Sequence, residues 1–218
     1  MIELKDVCKF NLKNINFKIE KNDWFAILGH NGAGKTTILK LIYGVVKPDK
    51  GNISLFENKI KQASIKKKIG FIAQDGGVFD NKDVISNLSI PLKLNRKYSK
   101  NKVSTLIDKL GLGEFSKLKA CELPASRRQL LKIGIAVSKE PLVLLADEPM
   151  EHLDNEKSEL VLSLFNELHL IGTTIVFTTS KSVPEYFTKG ISLKNGEIIE
   201  ELINKKEVSE IEDWKVED

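Results

Sequence analysis

Gly29-His30-Asn31-Gly32-Ala33-Gly34-Lys35-Thr36-Thr37 fits G-x-x-x-x-G-K-[ST], the pattern of a loop that wraps a phosphate. Gly29, Gly32 and Gly34 let the backbone turn tightly through angles closed to residues with a Cβ, so that successive N–H groups converge on one anion. The flanks agree with the motif. Trp24–Leu28 is apolar enough for a buried strand, and Ile38–Tyr43 reads as a helix. A helix beginning near Lys35 adds unpaired N–H groups and the positive end of its dipole, and Lys35 adds a cation. The Thr36 hydroxyl is placed to ligate Mg²⁺, and Thr37 reaches the α-phosphate of a nucleotide whose β-phosphate lies in the loop.

At 218 residues the chain is expected to be one domain with a substantial core and room for an inserted subdomain. With 41% hydrophobic and 29% charged residues it reads as soluble, and no apolar run approaches the roughly 20 residues of a membrane span. The start, Met1-Ile2-Glu3-Leu4-Lys5-Asp6, lacks the apolar core of a signal peptide, so a cytosolic location is expected. Cys8 and Cys121 stand far apart with no Cys/His cluster, which supports neither a disulfide framework nor a structural metal. Thirty-four basic against 30 acidic side chains give a net charge of +4, too balanced to argue for nucleic acid. The clusters Lys66-Lys67-Lys68 and Lys205-Lys206 read as solvated faces.

Along the chain, alternation at Ile2/Leu4 and Ile15/Phe17/Ile19 predicts two half-buried strands within 2–10 and 12–20 that form an antiparallel flap. Pro48-Asp49-Lys50-Gly51 reads as a turn before a strand Asn52–Phe56, and Ile69–Gln74 as a short strand ending at Gln74. From Asp83 to Ser138 the spacing turns helical, which predicts an inserted helical subdomain at about 83–138. Leu142–Ala146 looks like a central parallel strand that opens onto Asp147 and Glu148. A helix capped by Asp154 is expected to run to Ile171, with a buried strand over Thr173–Thr178 and an Asn195-Gly196 hairpin joining Gly190–Lys194 to Glu197–Glu200. Residues 201–218 form a charged tail in which Leu202, Ile203, Ile211 and Trp214 supply a small docking face.

Asp147 and Glu148 supply the second half of a nucleotide site: one carboxylate holds Mg²⁺ through its water shell, and its neighbour orients or deprotonates an attacking water. At this point the whole chain resembles the nucleotide-binding domain of an ABC ATPase, over essentially residues 1–200. Phe10 falls where that family has an aromatic that stacks on adenine, Gly29–Thr37 is its Walker A, and Gln74 matches the glutamine that senses Mg²⁺ and the membrane partner. Leu142–Glu148 matches the Walker B with its catalytic glutamate. Pro149-Met150-Glu151-His152-Leu153-Asp154 matches the D-loop that contacts the other subunit. The resemblance implies an α/β P-loop NTPase core with a predominantly parallel sheet, an N-terminal antiparallel β subdomain and the helical insertion. It also implies ATP and Mg²⁺ as ligands. Glu148, Lys35 and Gln74 would be catalytic; Thr36, Gln74 and Asp147 would attend the metal; Asn31 and Ala33 would line the phosphate loop. Asn87-Leu88-Ser89-Ile90-Pro91-Leu92 and Ala146–Pro149 look most like the cell-division ATPase FtsE and the lipoprotein-release ATPase LolD. That grouping implies an integral membrane partner, FtsX-like or a transporter permease, at the inner face of the cell membrane.

Two positions depart from the family. Where members carry Leu-Ser-Gly-Gly-Gln, whose serine and glycines clasp the γ-phosphate of the opposite subunit, this chain reads Leu123-Pro124-Ala125-Ser126-Arg127. Proline offers neither hydroxyl nor N–H, though Ser126 and Arg127 could substitute in part. Where members carry a switch histidine, this chain has Ser180, which reaches less far and cannot be charged. His30, His152 and His169 stand elsewhere and give no rescue. Three readings stay open: a weakly hydrolysing subunit in a homodimer, a non-hydrolysing ATP-dependent scaffold, and the degenerate half of a heterodimer with another ABC ATPase domain.

Overall fold

Apolar alternation in the first twenty residues produces β1 (Ile2–Lys9) and β2 (Leu12–Ile19), antiparallel with Ile2 opposite Ile19 and Leu4 opposite Phe17. Ile2, Leu4, Val7, Leu12, Ile15 and Ile19 point inward and are buried, each such side chain contributing roughly 1.5–3 kcal/mol. The structure, a computed structural model, describes residues 1–56, 68–181 and 185–204. Its contacts divide the chain into two compact units, Met1–Lys59 with Thr174–Asp218, and Ile60–Thr173.

The first unit continues with β3 (Trp24–Gly29), α1 (Lys35–Tyr43) and β4 (Lys50–Leu55). The expected flap gains β4 as a third strand, antiparallel to β1 with Ile2 opposite Leu55 and Cys8 opposite Lys50. The strand therefore starts two residues before the expected Asn52. Its partner β1 is central in this sheet and draws Lys50 and Gly51 into pairing.

In the second unit β5 (Ile69–Ile72) ends two residues short of Gln74. The helical spacing of 83–138 then resolves into α2 (Val84–Leu94), α3 (Lys100–Lys109), a short 3₁₀ turn at Ala120–Glu122 and α4 (Ala125–Val137). Asp83 caps α2, accepting from the Ser86 N–H at 2.6 Å. Gly134 lets the helices close up: a Cβ there would lie 2.6 Å from Leu110 and 2.9 Å from Leu88. Buried Asn87 accepts from Phe79 N–H and donates to the carbonyls of Phe79, Lys82 and Asp83, tying the preceding loop to α2. β6 (Val143–Ala146) runs parallel to β5 with Ile69 opposite Val143 and Ile72 opposite Ala146. α5 (Asn155–Leu170) follows, capped by Asp154, whose carboxylate takes the Lys157 N–H at 2.9 Å.

The chain returns to the first unit as β7 (Thr174–Thr179), β8 (Lys189–Lys194) and β9 (Glu197–Ile203). β3 lies between β7 and β8, parallel to both. Asn195 (φ 51°) and Gly196 (φ 81°) make the expected two-residue hairpin to antiparallel β9. β9 is longer than expected. Lys189 pairs with Ile203, so the first three residues of the stretch read as a tail are strand. Ile211, Trp214, Lys66-Lys67 and Lys205-Lys206 lie outside the described residues. Among the described residues no helix is long and apolar enough to cross a membrane.

Candidate functional site

In the first unit β3 is buried from Trp24 to Ile27 and delivers the chain to the loop at Gly29. Gly32 has φ 81° and Gly34, the residue before α1, φ 111°; a Cβ on Gly34 would sit 2.4 Å from Leu12 Cδ2. Ala33 N–H donates to His30 O at 3.1 Å, closing the turn around Asn31. Lys35 is 6% exposed, and its Nζ returns to the start of the loop, donating to Gly29 O at 2.7 Å and His30 O at 3.3 Å. No side chain caps α1, and its first turn holds no acid. The first N–H bonded within the helix is that of Ile38, to Gly34 O. The first-turn amides up to Thr37 thus point out of the helix beside the Lys35 cation and the Thr36 hydroxyl, a setting that suits an anion.

Two other stretches of this unit reach the loop. Asn11 donates from Nδ2 to Gly32 O at 2.9 Å, which brings its neighbour Phe10 (φ 52°, 77% exposed) to the loop's flank. Lys9 Nζ lies 5.0 Å from the Phe10 ring centroid and pairs with Asp49 at 2.6 Å. Leu28 is opposite Thr179 in the parallel β3–β7 pair, so Ser180 stands level with Gly29 at the same strand ends. The sequence singled out Phe10 and Ser180. It offered no signal for Asn11, whose part emerges only when the β1–β2 turn meets the loop.

In the second unit the β5–β6 register sets Gln74 and Glu148 two residues past the last paired positions, with Asp147 N–H bonded to Ile72 O at 2.8 Å. Asp147 is buried, and Glu148 adopts φ 44°, an uncommon backbone angle for a non-glycine residue. Glu148 O accepts from Glu151 N–H at 2.9 Å, so the D-loop begins as a tight turn. Buried Gln129 on α4 donates to Pro149 O at 3.0 Å and fastens that turn to the helix. Gln74, Arg128, Gln129, Lys132, Asp147 and Glu151 line one cleft. Burial, reinforced by Arg128, holds the Lys132 ammonium below the usual lysine range while Asp75 and Glu151 oppose the shift.

Pro124 stands at the N-cap of α4 with no side-chain cap. Ser126 is in the first turn. Arg127 turns back onto its own unit, donating to Gly111 O at 3.2 Å and lying 5.1 Å from the Phe115 ring centroid. Its guanidinium is thereby directed away from the role of stand-in cation that the sequence suggested. Arg128 is likewise engaged, with Asp80 and with Ala120 O. Among the described residues no three His, Cys, Asp or Glu side chains form a metal cluster. Within the second unit the oxygens of Gln74 and Asp147 line one cleft, and oxygen donors of this kind suit a hard ion such as Mg²⁺.

Comparison with known proteins places this geometry. The family model for the ABC transporter matches residues 12–151. An ABC transporter ATP-binding protein of Methanocaldococcus jannaschii is 31% identical over 227 residues, covering 94% of this chain and all of the relative. The methionine import ATP-binding protein MetN of Clostridium tetani is 32% identical, covering 90% of this chain and 67% of its own. The cell division ATP-binding protein FtsE of Escherichia coli K12 is 33% identical, covering 77% and 80%. Among solved structures, an ATP-binding cassette captured as a dimer in a post-hydrolysis state with ADP and Pi superposes with a TM-score of 0.85 at 27% identity, covering 94% of this chain and 99% of that one. The fold is that of these cassettes, with an antiparallel N-terminal sheet beside mostly parallel strands, and the chain belongs to the ABC transporter family as an ATP-binding cassette.

Proposed function

We propose that this chain is the ATP-binding subunit of a membrane-associated complex, binding Mg-ATP, dimerising, and hydrolysing slowly to drive an integral membrane partner. The phosphate loop carries the reading: an uncapped helix start, left-handed Gly32 and Gly34, and a buried Lys35 beside them. Gly29, Asn31, Gly32, Ala33 and Gly34 shape the loop, Lys35 neutralises phosphate charge, Thr37 takes the α-phosphate, and Phe10 stacks on adenine. Thr36, Gln74 and Asp147 would hold Mg²⁺, which would supply neutralisation of the phosphate charge. Glu148 orients the water or takes its proton, and Ser180 donates one hydrogen bond to the γ-phosphate. Ser126 offers a hydroxyl to a partner's nucleotide, whereas Arg127 reaches phosphate only by leaving Gly111 and Phe115. Each missing transition-state donor costs about 10²–10³ in rate, which is why slow turnover is expected.

Both units are taken as parts of one ATPase domain, with 83–138 as its helical subdomain and 201–218 as its charged tail. The role proposed is FtsE-like, in cell division, or that of a LolD-like or other transporter subunit, at the cytoplasmic face of the membrane. An FtsX-like protein or a permease would dock near residues 74–92, where Phe79 and Ile85 are exposed. Charge reversal at Lys82 should weaken that contact; unchanged binding counts against it. Asp83 is a poorer probe because it caps α2. The uncapped, proline-led start of α4 favours a second reading, a non-hydrolysing scaffold or one half of a heterodimer completed by another ABC domain.

The test is phosphate release in saturating Mg-ATP with Glu148→Gln as blank, beside a Pro124→Ser, Ala125→Gly, Ser126→Gly, Ser180→His repair. Turnover above the blank with a gain of at least about tenfold on repair supports the slow ATPase. Silence in the natural protein with turnover in the repaired one supports the scaffold or heterodimer reading. Silence in both refutes hydrolysis by this domain alone.

A further inference from the structure

Gln74 is held at two points by side chains that the proposed reaction does not use. Lys132 Nζ donates to the Gln74 backbone carbonyl at 2.6 Å, and Gln74 Nε2 donates to Glu151 Oε2 at 3.4 Å. The first contact comes from α4, the second from the D-loop turn, and all three residues belong to the same unit. Beyond Gln74 the backbone turns through left-handed conformations, with Gly76 at φ 73° and Gly77 at φ 82°. The Lys132 stem runs close by, its Cγ 3.8 Å from where a Cβ on Gly77 would lie. Lys132 therefore bonds the loop at Gln74 and has its stem near Gly77.

The two ends of a carboxamide are chemically distinct, since the NH₂ only donates and the oxygen only accepts. A carboxylate that takes Nε2 repels Oε1, so Glu151 decides which way the amide faces. Asp147 lines the same cleft. Gln74 and its contact with Glu151 are solvent-exposed, so that contact is weak by itself. The short, charge-assisted bond from Lys132 supplies the firmer hold.

We propose that Lys132 and Glu151 are positioning residues for Gln74: Lys132 fixes its backbone to α4, and Glu151 turns the carboxamide so that Oε1 is presented as the oxygen ligand. The inference rests on Gln74 being a metal ligand of the nucleotide complex, as proposed above. It also gives α4 a mechanical part. Lys132 lies seven residues from Ala125 at the helix start, about 10 Å along a rigid helix, so a shift of that end moves Gln74 with it.

The experiment uses the full chain as natural protein, Glu151→Ala, Glu151→Gln, Lys132→Met and Lys132→Arg, with urea midpoints checking that each folds. A fluorescent ATP analogue without metal reports nucleotide binding, electron paramagnetic resonance of Mn²⁺ reports the metal in the nucleotide complex, and phosphate release gives kcat and KM. Glu151→Ala and Lys132→Met should weaken Mn²⁺ binding by about tenfold and lower kcat with it, as loss of a supporting shell does. Metal-free nucleotide affinity and KM should stay within about twofold. Lys132→Arg, which keeps a charged donor, should hold Mn²⁺ within about twofold of the natural protein, whereas Glu151→Gln, whose carboxamide can offer either end to Gln74, should lose affinity much as Glu151→Ala does. Unchanged Mn²⁺ affinity in the Ala and Met variants overturns the inference while leaving the nucleotide reading intact, and so does a Lys132→Arg variant as damaged as Lys132→Met or a Glu151→Gln variant that binds as the natural protein does. Failure of every protein, the natural one included, to bind the nucleotide overturns the reading of the phosphate loop, and the inference with it.

Discussion

Replacing Gly34 by alanine tests how the phosphate loop is held. Gly34 has φ 111° and ψ 4°, a conformation that costs a residue with a Cβ about 1–3 kcal/mol. The new methyl group would meet Leu12 Cδ2 at 2.4 Å. Leu12 is itself 2% exposed, so it can yield only by repacking, at about 1–3 kcal/mol. Gly34→Ala should therefore cost about 2–6 kcal/mol, a large share of the 5–15 kcal/mol typical of a domain. Urea unfolding followed by fluorescence of Trp24, buried in β3 of the same unit, reads the loss. A double-mutant cycle with Leu12→Ala separates the two terms, because that change removes the clash and leaves the backbone strain. Gly34→Ala should cost about 1–3 kcal/mol less in the Leu12→Ala background. Equal costs in both backgrounds would refute the Leu12 contact as a source, and a total below about 1 kcal/mol would refute the strain as well. Nucleotide affinity should drop at least about tenfold, since a displaced loop no longer aims its amides at one point.

Asn87→Ala strips four hydrogen bonds from the loop before α2 and leaves Phe79 N–H without its acceptor. It should cost about 2–4 kcal/mol in urea unfolding, and a loss below about 1 kcal/mol would mean water replaces the side chain. Glu140 accepts from Lys102 at 2.6 Å and Lys97 at 2.7 Å, which hold its carboxyl below the ordinary value of 4.5. A depressed carboxyl stabilises the fold above its ordinary pKa and loses that contribution as pH falls through the lowered one. Both lysines and Glu140 are about half exposed, so Glu140→Gln should cost less than about 1 kcal/mol at pH 7. The gap between the two proteins should close as pH falls below about 4 and shrink in 1 M salt; a gap that persists at pH 3 would show that packing, not charge, is responsible.

Features carried by residues near one another in sequence were legible from the start. The strand, loop and helix at Trp24–Tyr43, the cap Asp154, and the Asn195-Gly196 hairpin each depend on local backbone angles and local hydrogen bonds. Strand ends were less legible. Whether Lys50, Gly51 or Glu201–Ile203 are strand depends on whether a distant partner, β1 or β8, extends far enough to pair with them.

Residue identity and spacing alone marked a phosphate-loop pattern between a buried strand and a helix, and two carboxylates at the end of a buried strand downstream. Direction was decided only by the tertiary structure. Arg127 could face a phosphate or its own unit, and the acceptor at Gly111 O with the ring of Phe115 turned it inward. Asn11 and Lys132 belong to no motif, and Glu151 lies in the D-loop stretch with no part there that the sequence assigned, yet each meets a motif residue across a gap of between 21 and 77 positions. Such contacts arise because close packing leaves each side chain few places to go, and those places are set by neighbours that the chain brings together only when it folds.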